Sequence, residues 1–292
     1  MNFPAGYEHL IRENEPLVPY TWLQMGGPAR YFAEPTTASE LAALIKAAAS
    51  AQIPVRVIGG GSNLLVQEAG FDGLVLHLAA PELSEIRIDG ERVTVGGGAK
   101  LNHVISRTVG EGLAGLEHLV GIPGTIGGAV VGNAGVWNGE IGSRVVGVRT
   151  IDRAGNIRDR VTGDFQFSFR RSDLEDVIVL EAVLQLEKRS ASELTRQMQN
   201  SWIVKRSQQP PTDQRSALAF VDPAGISAAE LIEQAGLRGA AQGEVSLSSQ
   251  FPGYIVASGN ATSAQVLALL DRVRKAVAQQ TGIQLQPHLR IW

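Results

Sequence analysis

Val57-Ile58-Gly59-Gly60-Gly61-Ser62-Asn63-Leu64-Leu65 is the stretch on which the reading turns. A second one answers it: Gly121-Ile122-Pro123-Gly124-Thr125-Ile126-Gly127-Gly128, followed closely by Gly132-Asn133-Ala134-Gly135. Glycine at this density is not chosen for packing, because each costs about 1 kcal/mol relative to alanine inside a regular element. It suits backbone that must turn sharply and lay its N–H groups against an anionic ligand. Two such loops in one chain point to a long ligand with a diphosphate in its middle. A dinucleotide cofactor meets that description best.

The loops also exclude familiar nucleotide folds. Gly59-Gly60-Gly61-Ser62-Asn63-Leu64 supplies the first two glycines of the Rossmann fingerprint, but Leu64 stands where the third belongs, and no helix cap follows. No Gly-Lys-Ser/Thr occurs anywhere, which removes a nucleotide triphosphatase loop. Ser62 is not a hydrolase elbow, since the residue two beyond it is Leu64 rather than glycine. A pair of tight turns in a glycine-rich sheet protein is the plain alternative, and it weakens once both loops are taken together.

Composition bounds the rest. The 292 residues allow about two or three domains with a true core. Lys plus Arg number 26 against 29 Asp plus Glu, a net charge of −3, and no basic block marks a nucleic-acid surface. With no cysteine there are no disulfides, no thiol catalysis and no thiolate metal site. The histidines His9, His77, His103, His118 and His288 lack metal-ligand spacing, so no metal is expected. Apolar runs fall short of a membrane span, and Glu8, Glu13 and Glu15 do not suit a signal peptide. The expectation is a soluble, cytoplasmic protein.

Along the chain the pattern is mixed α/β. Thr37-x-x-Glu40 predicts a capping box before an apolar helix, and Pro54 closes that region ahead of a strand at 55–58. The first glycine loop follows that strand directly. From residue 74 to 186 short strands alternate with turns, at 75–78, 86–88, 93–95, 145–152 and 177–186. A helix begins near Asn102 and ends at Gly110 or Gly112. A third region opens near Ser192 with a helix to about Arg206, then the polar Gln208-Gln209-Pro210-Pro211. Helices at 227–235 and 262–280 follow, the last carrying Val266, Leu269, Leu270, Val273 and Val277 on one face.

The order of these motifs resembles the UDP-N-acetylenolpyruvoylglucosamine reductase (UDP-N-acetylmuramate dehydrogenase) family. The likeness runs through Thr21-Trp22 with Gly26-Gly27-Pro28-Ala29, the two glycine loops and Phe167-Ser168-Phe169-Arg170-Arg171-Ser172. It continues through Gln209-Pro210, Leu231-Ile232-Glu233-Gln234-Ala235-Gly236-Leu237 and the run from Leu285 to Arg290. The length is similar to the shorter form of the enzyme. The resemblance implies a mixed α+β and α/β fold: an FAD-binding fold of the vanillyl-alcohol-oxidase type plus a C-terminal α+β substrate domain. The expected division is 1–78 and 79–190 for two FAD-binding subdomains and 191–282 for substrate, with 283–292 returning to the first subdomain or to the active site.

The family chemistry implies FAD as cofactor, NADPH as electron donor and a UDP-sugar as substrate, in peptidoglycan precursor synthesis. Gly59, Gly60, Gly61, Ser62, Asn63 and Leu64 would wrap the FAD diphosphate. Gly121, Pro123, Gly124, Thr125, Gly127, Gly128, Asn133, Ala134 and Gly135 would run beside the ribityl chain and isoalloxazine. For Asn133 two readings stand, a contact to cofactor or a loop cap. Hydride passes to the terminal carbon of an enolpyruvyl ether, charge develops on the substrate carboxylate, and a donor protonates the neighbouring carbon. In the family an arginine, a glutamate and a serine serve these steps.

Arg170 matches the arginine by its place in Phe-x-Phe-Arg-x-Ser, against the alternative of a solvated strand end. The family usually has tyrosine just before it, where this chain has Phe169. The family run Ser-Ala-Gly-Ser-x-Phe-Lys-Asn-Pro becomes Arg215-Ser216-Ala217-Leu218-Ala219-Phe220-Val221-Asp222-Pro223, so Leu218 stands at the serine. Ser216 points the same way on a strand but lies roughly 7 Å along it. Near the end, His288 stands at the glutamate, where it serves either as a donor or in no role. Phe251-Pro252-Gly253-Tyr254-Ile255 replaces the common His-x-Asn-Phe-Ile. These departures leave three readings: a working reductase with a rewired donor, an FAD oxidoreductase of the same fold on another substrate, or a non-catalytic flavin-binding paralogue. Sites built from one chain make a monomer the expectation.

Overall fold

Thr37 opens the first long helix as its sequence predicts. Its hydroxyl accepts from the Glu40 N–H at 3.1 Å, and the helix runs Ala38–Ser50. The other half of the box is displaced by one residue. The Glu40 carboxylate accepts from both the N–H and the hydroxyl of Thr36, each at 2.7 Å. Leu41, Leu44, Ile45 and Ala48 recur at helical spacing and are buried. They share a core with Leu74 and Leu76 of the strand Phe71–His77.

The computed structural model of the chain describes residues 6–136, 139–211 and 214–292. It divides into two units. The first is Met1–Asn14, Arg30–Gly60 and Asp72–Lys205; the second is Glu15–Ala29, Gly61–Phe71 and Arg206–Trp292.

A sheet in the order Ile11–Pro16, Pro28–Ala33, Phe71–His77, Val55–Ile58 carries the helix Ala38–Ser50 against its core. Val55–Ile58 runs parallel to Phe71–His77, with Val55 opposite Leu74 and Ile58 opposite His77. A parallel pair cannot be joined by a tight turn. Its crossover is residues 59–70, and the first glycine loop is the opening of that crossover. The loop therefore sits at the carboxyl end of a strand because the topology obliges the chain to leave there.

The first unit holds a second sheet, antiparallel throughout, in the order Ile157–Val161, Val145–Ile151, Ile178–Gln185, Arg92–Gly96, Ile86–Asp89. Four of its strands fall where the apolar runs at 86–88, 93–95, 145–152 and 177–186 predict, whereas the charged edge strand Ile157–Val161 has no such run. Val93, Val95 and Leu184 pack with Val104 and Ile105 of the helix Leu101–Gly110, and with Ile126 and Val130 of a shorter helix, Ile126–Val131.

The second unit is built on the antiparallel order Ser216–Leu218, Tyr254–Ala257, Val245–Leu247, Ala241–Gln242. The helices Ala228–Gln234 and Ser263–Thr281 close its core. Val266, Leu269, Leu270, Val273 and Val277 are all buried there, together with Leu23, Met25 and Leu65 from early in the chain. Two short strands finish it: Gln286–Pro287 beside Phe220–Val221, and Arg290–Ile291 parallel to Leu64–Leu65.

The long helix is capped on both strands of its box. The Thr262 hydroxyl accepts from Gln265 N–H at 3.3 Å, and Gln265 Oε1 accepts from Thr262 N–H at 3.2 Å. Glu68 adds a carboxylate that accepts from the N–H and hydroxyl of Ser263. Thr262→Ala is expected to lower stability by about 1 kcal/mol. Urea denaturation checks it, as a lower midpoint with an unchanged slope. Among the described residues no helix is long and apolar enough to cross a membrane, and no His/Cys/Asp/Glu cluster could hold a metal.

Candidate active site

The two glycine stretches meet within the first unit. A Cβ built on Gly59 would lie 2.6 Å from Thr125 Oγ1, and one on Gly60 would lie 2.7 Å from the Gly124 Cα. Gly124 itself sits at φ +122, a conformation other residues rarely adopt. At Gly60 backbone thus faces backbone, while Gly59 faces the Thr125 side chain.

The second stretch is not loop throughout. Thr125 Oγ1 accepts from the Gly128 N–H at 3.4 Å and caps the helix Ile126–Val131. Glycine pairs argue against helix, so the sequence reading missed it. The glycines are there for close approach: Gly127 lies with its would-be Cβ 3.1 Å from the Gly97 carbonyl oxygen. The N–H groups of Ile126 and Gly127 donate to the Ala99 and Gly97 carbonyls, each at 2.8 Å. What this stretch presents is bare Cα surface rather than a row of donors.

Gly61–Leu65 belongs to the second unit. The Asn63 carbonyl accepts from Arg290 N–H at 3.0 Å. Its side-chain Oδ1 is closed to solvent and has no hydrogen-bond partner among the described residues. A buried acceptor left so costs about 1–3 kcal/mol, which is the mark of a site completed by a hydroxyl or N–H from elsewhere.

Arg170 occupies the tip of a hairpin in which Phe167 pairs with Ser172 and Ser168 with Arg171. It is the second residue of a two-residue turn and lies at φ 58, where turns ordinarily place glycine or asparagine. Its guanidinium donates to the Gly135 carbonyl at 2.6 Å and stands 5.6 Å from the centre of the exposed Phe169 ring. Arg170 is therefore held in place, unlike a loose arginine at a strand end.

Asn133 organises the ground beneath that hairpin. It is fully buried, at φ 44, and its amide donates to Glu140 Oε2 at 2.6 Å and to the Ser168 carbonyl at 2.8 Å, while its Oδ1 accepts from Gly142 N–H at 3.1 Å. Ser172 adds a bond to the Val131 carbonyl at 2.8 Å. Glu140 was not singled out by sequence reasoning and Ser172 entered only as the end of the Arg170 motif, with no partner assigned, because its bond to Val131 joins segments far apart in the chain. His118 was likewise missed. Burial lowers the pKa of its imidazole, an effect that Arg144 reinforces and that Glu117 and a backbone bond to Gly139 oppose.

Asn133→Asp gives a pH-dependent test of this network. It places a carboxylate 2.6 Å from Glu140, and two carboxylates that close share a proton, which raises one folded-state pKa above its unfolded value. A group shifted that way contributes its stability at low pH and loses it as pH rises through the raised pKa. Thermal melts are expected to leave the variant below wild type at about pH 5, where the Ser168 carbonyl has lost its donor, and further below it at about pH 8, where the carboxylates also repel.

In the second unit, Ser216 is buried at 6% exposure and lies opposite Val256. Leu218 ends the same strand, opposite Tyr254. Asp222 accepts from the Ala228 N–H at 2.8 Å and so caps a helix. His288 is half-buried and its N–H donates to the Ala219 carbonyl at 3.0 Å. His288 and Leu218 are thus on neighbouring stretches of backbone.

An FAD-binding domain family model matches residues 29–159, and the C-terminal domain of UDP-N-acetylenolpyruvoylglucosamine reductase matches residues 209–292. The UDP-N-acetylenolpyruvoylglucosamine reductase of Rhodopirellula baltica is 48% identical over 291 residues, 99% of this chain and 95% of that one. The chain belongs to the UDP-N-acetylenolpyruvoylglucosamine reductase family. The reductase of Heliobacterium modesticaldum is 39% identical over 96% of this chain and 90% of its own. Among solved structures of the family, UDP-N-acetylenolpyruvylglucosamine reductase (MurB) from Thermus caldophilus superposes with a TM-score of 0.83 at 32% identity, covering 97% of this chain and 99% of that one. The mixed fold is thus an FAD-binding domain of the vanillyl-alcohol-oxidase type followed by the reductase family's C-terminal domain.

The residues fit the flavin that this family employs. The Gly59–Gly60 and Gly124–Thr125 approach is close enough that a Cβ on either of the first two would clash, so the loops offer bare backbone where a cofactor would lie. Asn63 Oδ1 offers a buried acceptor of the kind a sugar or ribityl hydroxyl satisfies.

Proposed function

We propose that this chain reduces UDP-N-acetylenolpyruvoylglucosamine to UDP-N-acetylmuramate with electrons from NADPH, in the cytoplasm, as a monomer, in peptidoglycan precursor synthesis. What carries the reading is that both glycine loops and the Arg170 hairpin are intact on a chain matching the family from end to end. Bound FAD supplies what side chains cannot, accepting hydride from NADPH and returning it to an acceptor.

The chain's own residues have three tasks. The glycine cradle binds the cofactor and keeps side chains out of its path, with Gly59, Gly60, Gly124 and Thr125 setting its width. Arg170, already oriented by the Gly135 carbonyl, stabilises the negative charge that builds on the substrate carboxylate. A planar guanidinium meets a carboxylate with two parallel donors, which lysine cannot do. His288 stands for the family's glutamate as a further hydrogen-bond donor to the same developing charge. Ser216 is a weaker candidate, since it is buried and displaced along its strand.

Leu218 favours a second reading, an FAD oxidoreductase of the same fold acting on a different acceptor. One anaerobic experiment separates the two. NADPH is added to the flavin-loaded protein until the visible band bleaches, then UDP-N-acetylenolpyruvoylglucosamine is added. Return of the band at a catalytic rate supports the reductase. A band that bleaches and stays bleached sinks it and leaves another acceptor to be found.

A further inference from the structure

Reduction of an enolpyruvyl ether adds hydride to one carbon of a double bond and a proton to its neighbour. Leu218, where the family has its serine, has no proton to give. The strand Ser216–Leu218 runs antiparallel to Tyr254–Ala257, and the register sets Ala217 opposite Ile255 and Leu218 opposite Tyr254. Residues directly opposite share a face, with Cβ atoms about 4.5–5.5 Å apart. Ala217 and Ile255 are buried in the core on one face, while Leu218 and Tyr254 are both partly exposed on the other. Tyr254 stands where the family commonly has phenylalanine. A hydroxyl-bearing side chain therefore stands directly opposite position 218, on the same face of the sheet.

The backbone at 254 is held from both sides. Its N–H donates to the Phe251 carbonyl and its carbonyl accepts from Ser248 N–H, both at 2.8 Å, and Ala219 N–H continues the ladder to the Gly253 carbonyl at 2.9 Å. Ser216 shares the face but is buried and lies two residues along. We propose that Tyr254 is the proton donor of this chain, supplying across the strand pair the proton that Leu218 cannot; the assignment rests on the reductase reading above. The balance is simple. Hydride from NADPH, by way of the flavin, forms a C–H bond at the terminal carbon, and the displaced π pair moves toward the carboxylate. The phenolic O–H bond then breaks as a C–H bond forms at the adjacent carbon, and solvent reprotonates the tyrosinate.

The test is anaerobic stopped flow on the flavin-loaded wild type, Tyr254→Phe, Leu218→Ser and the double variant. Tyr254→Phe keeps the ring and is expected to slow reoxidation by the sugar nucleotide about 10²–10³-fold while NADPH reduces the flavin as before. The double variant recovers at least about tenfold of that loss. In wild type the reoxidation rate falls at high pH as the phenol loses its proton; in Leu218→Ser, which has a second donor on the face, that fall is blunted. A Tyr254→Phe enzyme that reoxidises within about twofold of wild type, or that keeps the wild-type high-pH fall, overturns the assignment. A wild type that the sugar nucleotide cannot reoxidise at all overturns the reductase reading, and the donor with it, before any variant is needed.

Discussion

Arg170→Ala is expected to slow flavin reoxidation by UDP-N-acetylenolpyruvoylglucosamine by about 10³-fold and to leave reduction by NADPH almost unchanged. The size follows from the role proposed for the side chain. A fixed donor aimed at developing charge is worth about 10²–10³ in rate when it is the sole one removed, and a charged, bidentate donor lies at the upper end. Arg170→Lys retains the charge but not the fork, so an intermediate loss is expected. The companion variant Arg170→Gly separates chemistry from folding. Holding a non-glycine residue at φ 58 costs about 1–2 kcal/mol, and the bond to Gly135 returns about 1 kcal/mol. Removing both nearly cancels, so the glycine variant should melt close to wild type and yet reoxidise as slowly as alanine. A variant that melts far lower would show that the turn is held by arginine for stability alone.

Gly60→Ala carries the second large effect. The added methyl would lie 2.7 Å from the Gly124 Cα and 3.3 Å from the Gly124 N, with nothing but backbone to displace. Gly124 is itself at φ +122 and has little freedom to retreat. Overpacking of this kind costs about 1–3 kcal/mol. If the strain is relieved by opening the cradle, FAD affinity falls by about 5–150-fold, the same energy expressed as binding. The protein is then expected to purify pale, with an absorbance ratio at the flavin band well below wild type, and to regain colour only at high added FAD. Gly110→Ala is the control: at the exposed end of a helix, a Cβ there meets nothing within 4 Å. It is expected to bind flavin normally and gain up to about 1 kcal/mol of stability. Equal flavin loss in both variants would remove the cradle argument.

The sequence disclosed those parts of the molecule that are local. Two glycine loops need backbone without side chains, Thr37 announces a helix by its own hydroxyl, and the long final helix declares its buried face by spacing. The family resemblance drew attention to Arg170, which the structure fixes at a hairpin tip. Hidden were the features that depend on distant partners. Ile11–Pro16 reads as a charged, exposed segment and becomes a strand only because a sheet edge receives it. Ile126–Val131 carries two glycines that argue against the helix it forms, and the packing on Gly97 overrides propensity there. The role of Asn133 required knowing that Ser168 and Gly142 converge on it. The relation of Leu218 to Tyr254 required strand register, which alternation alone does not fix.

The two units are not successive lengths of chain, since the boundary between them is crossed at 14/15, 29/30, 60/61, 71/72 and 205/206. Leu23, Met25 and Leu65 belong to a core otherwise made from residues after 216, and Leu64–Leu65 receives the strand Arg290–Ile291 from the very end. A ribosome therefore releases these early segments long before the surface they cover exists. Closing such long loops is slow because their entropy must be met before the contacts return it. Cutting the chain near residue 205 would leave a C-terminal fragment missing part of its interior, so the two pieces are expected to be unstable when made apart and to need one another during folding, in the manner of split-protein halves.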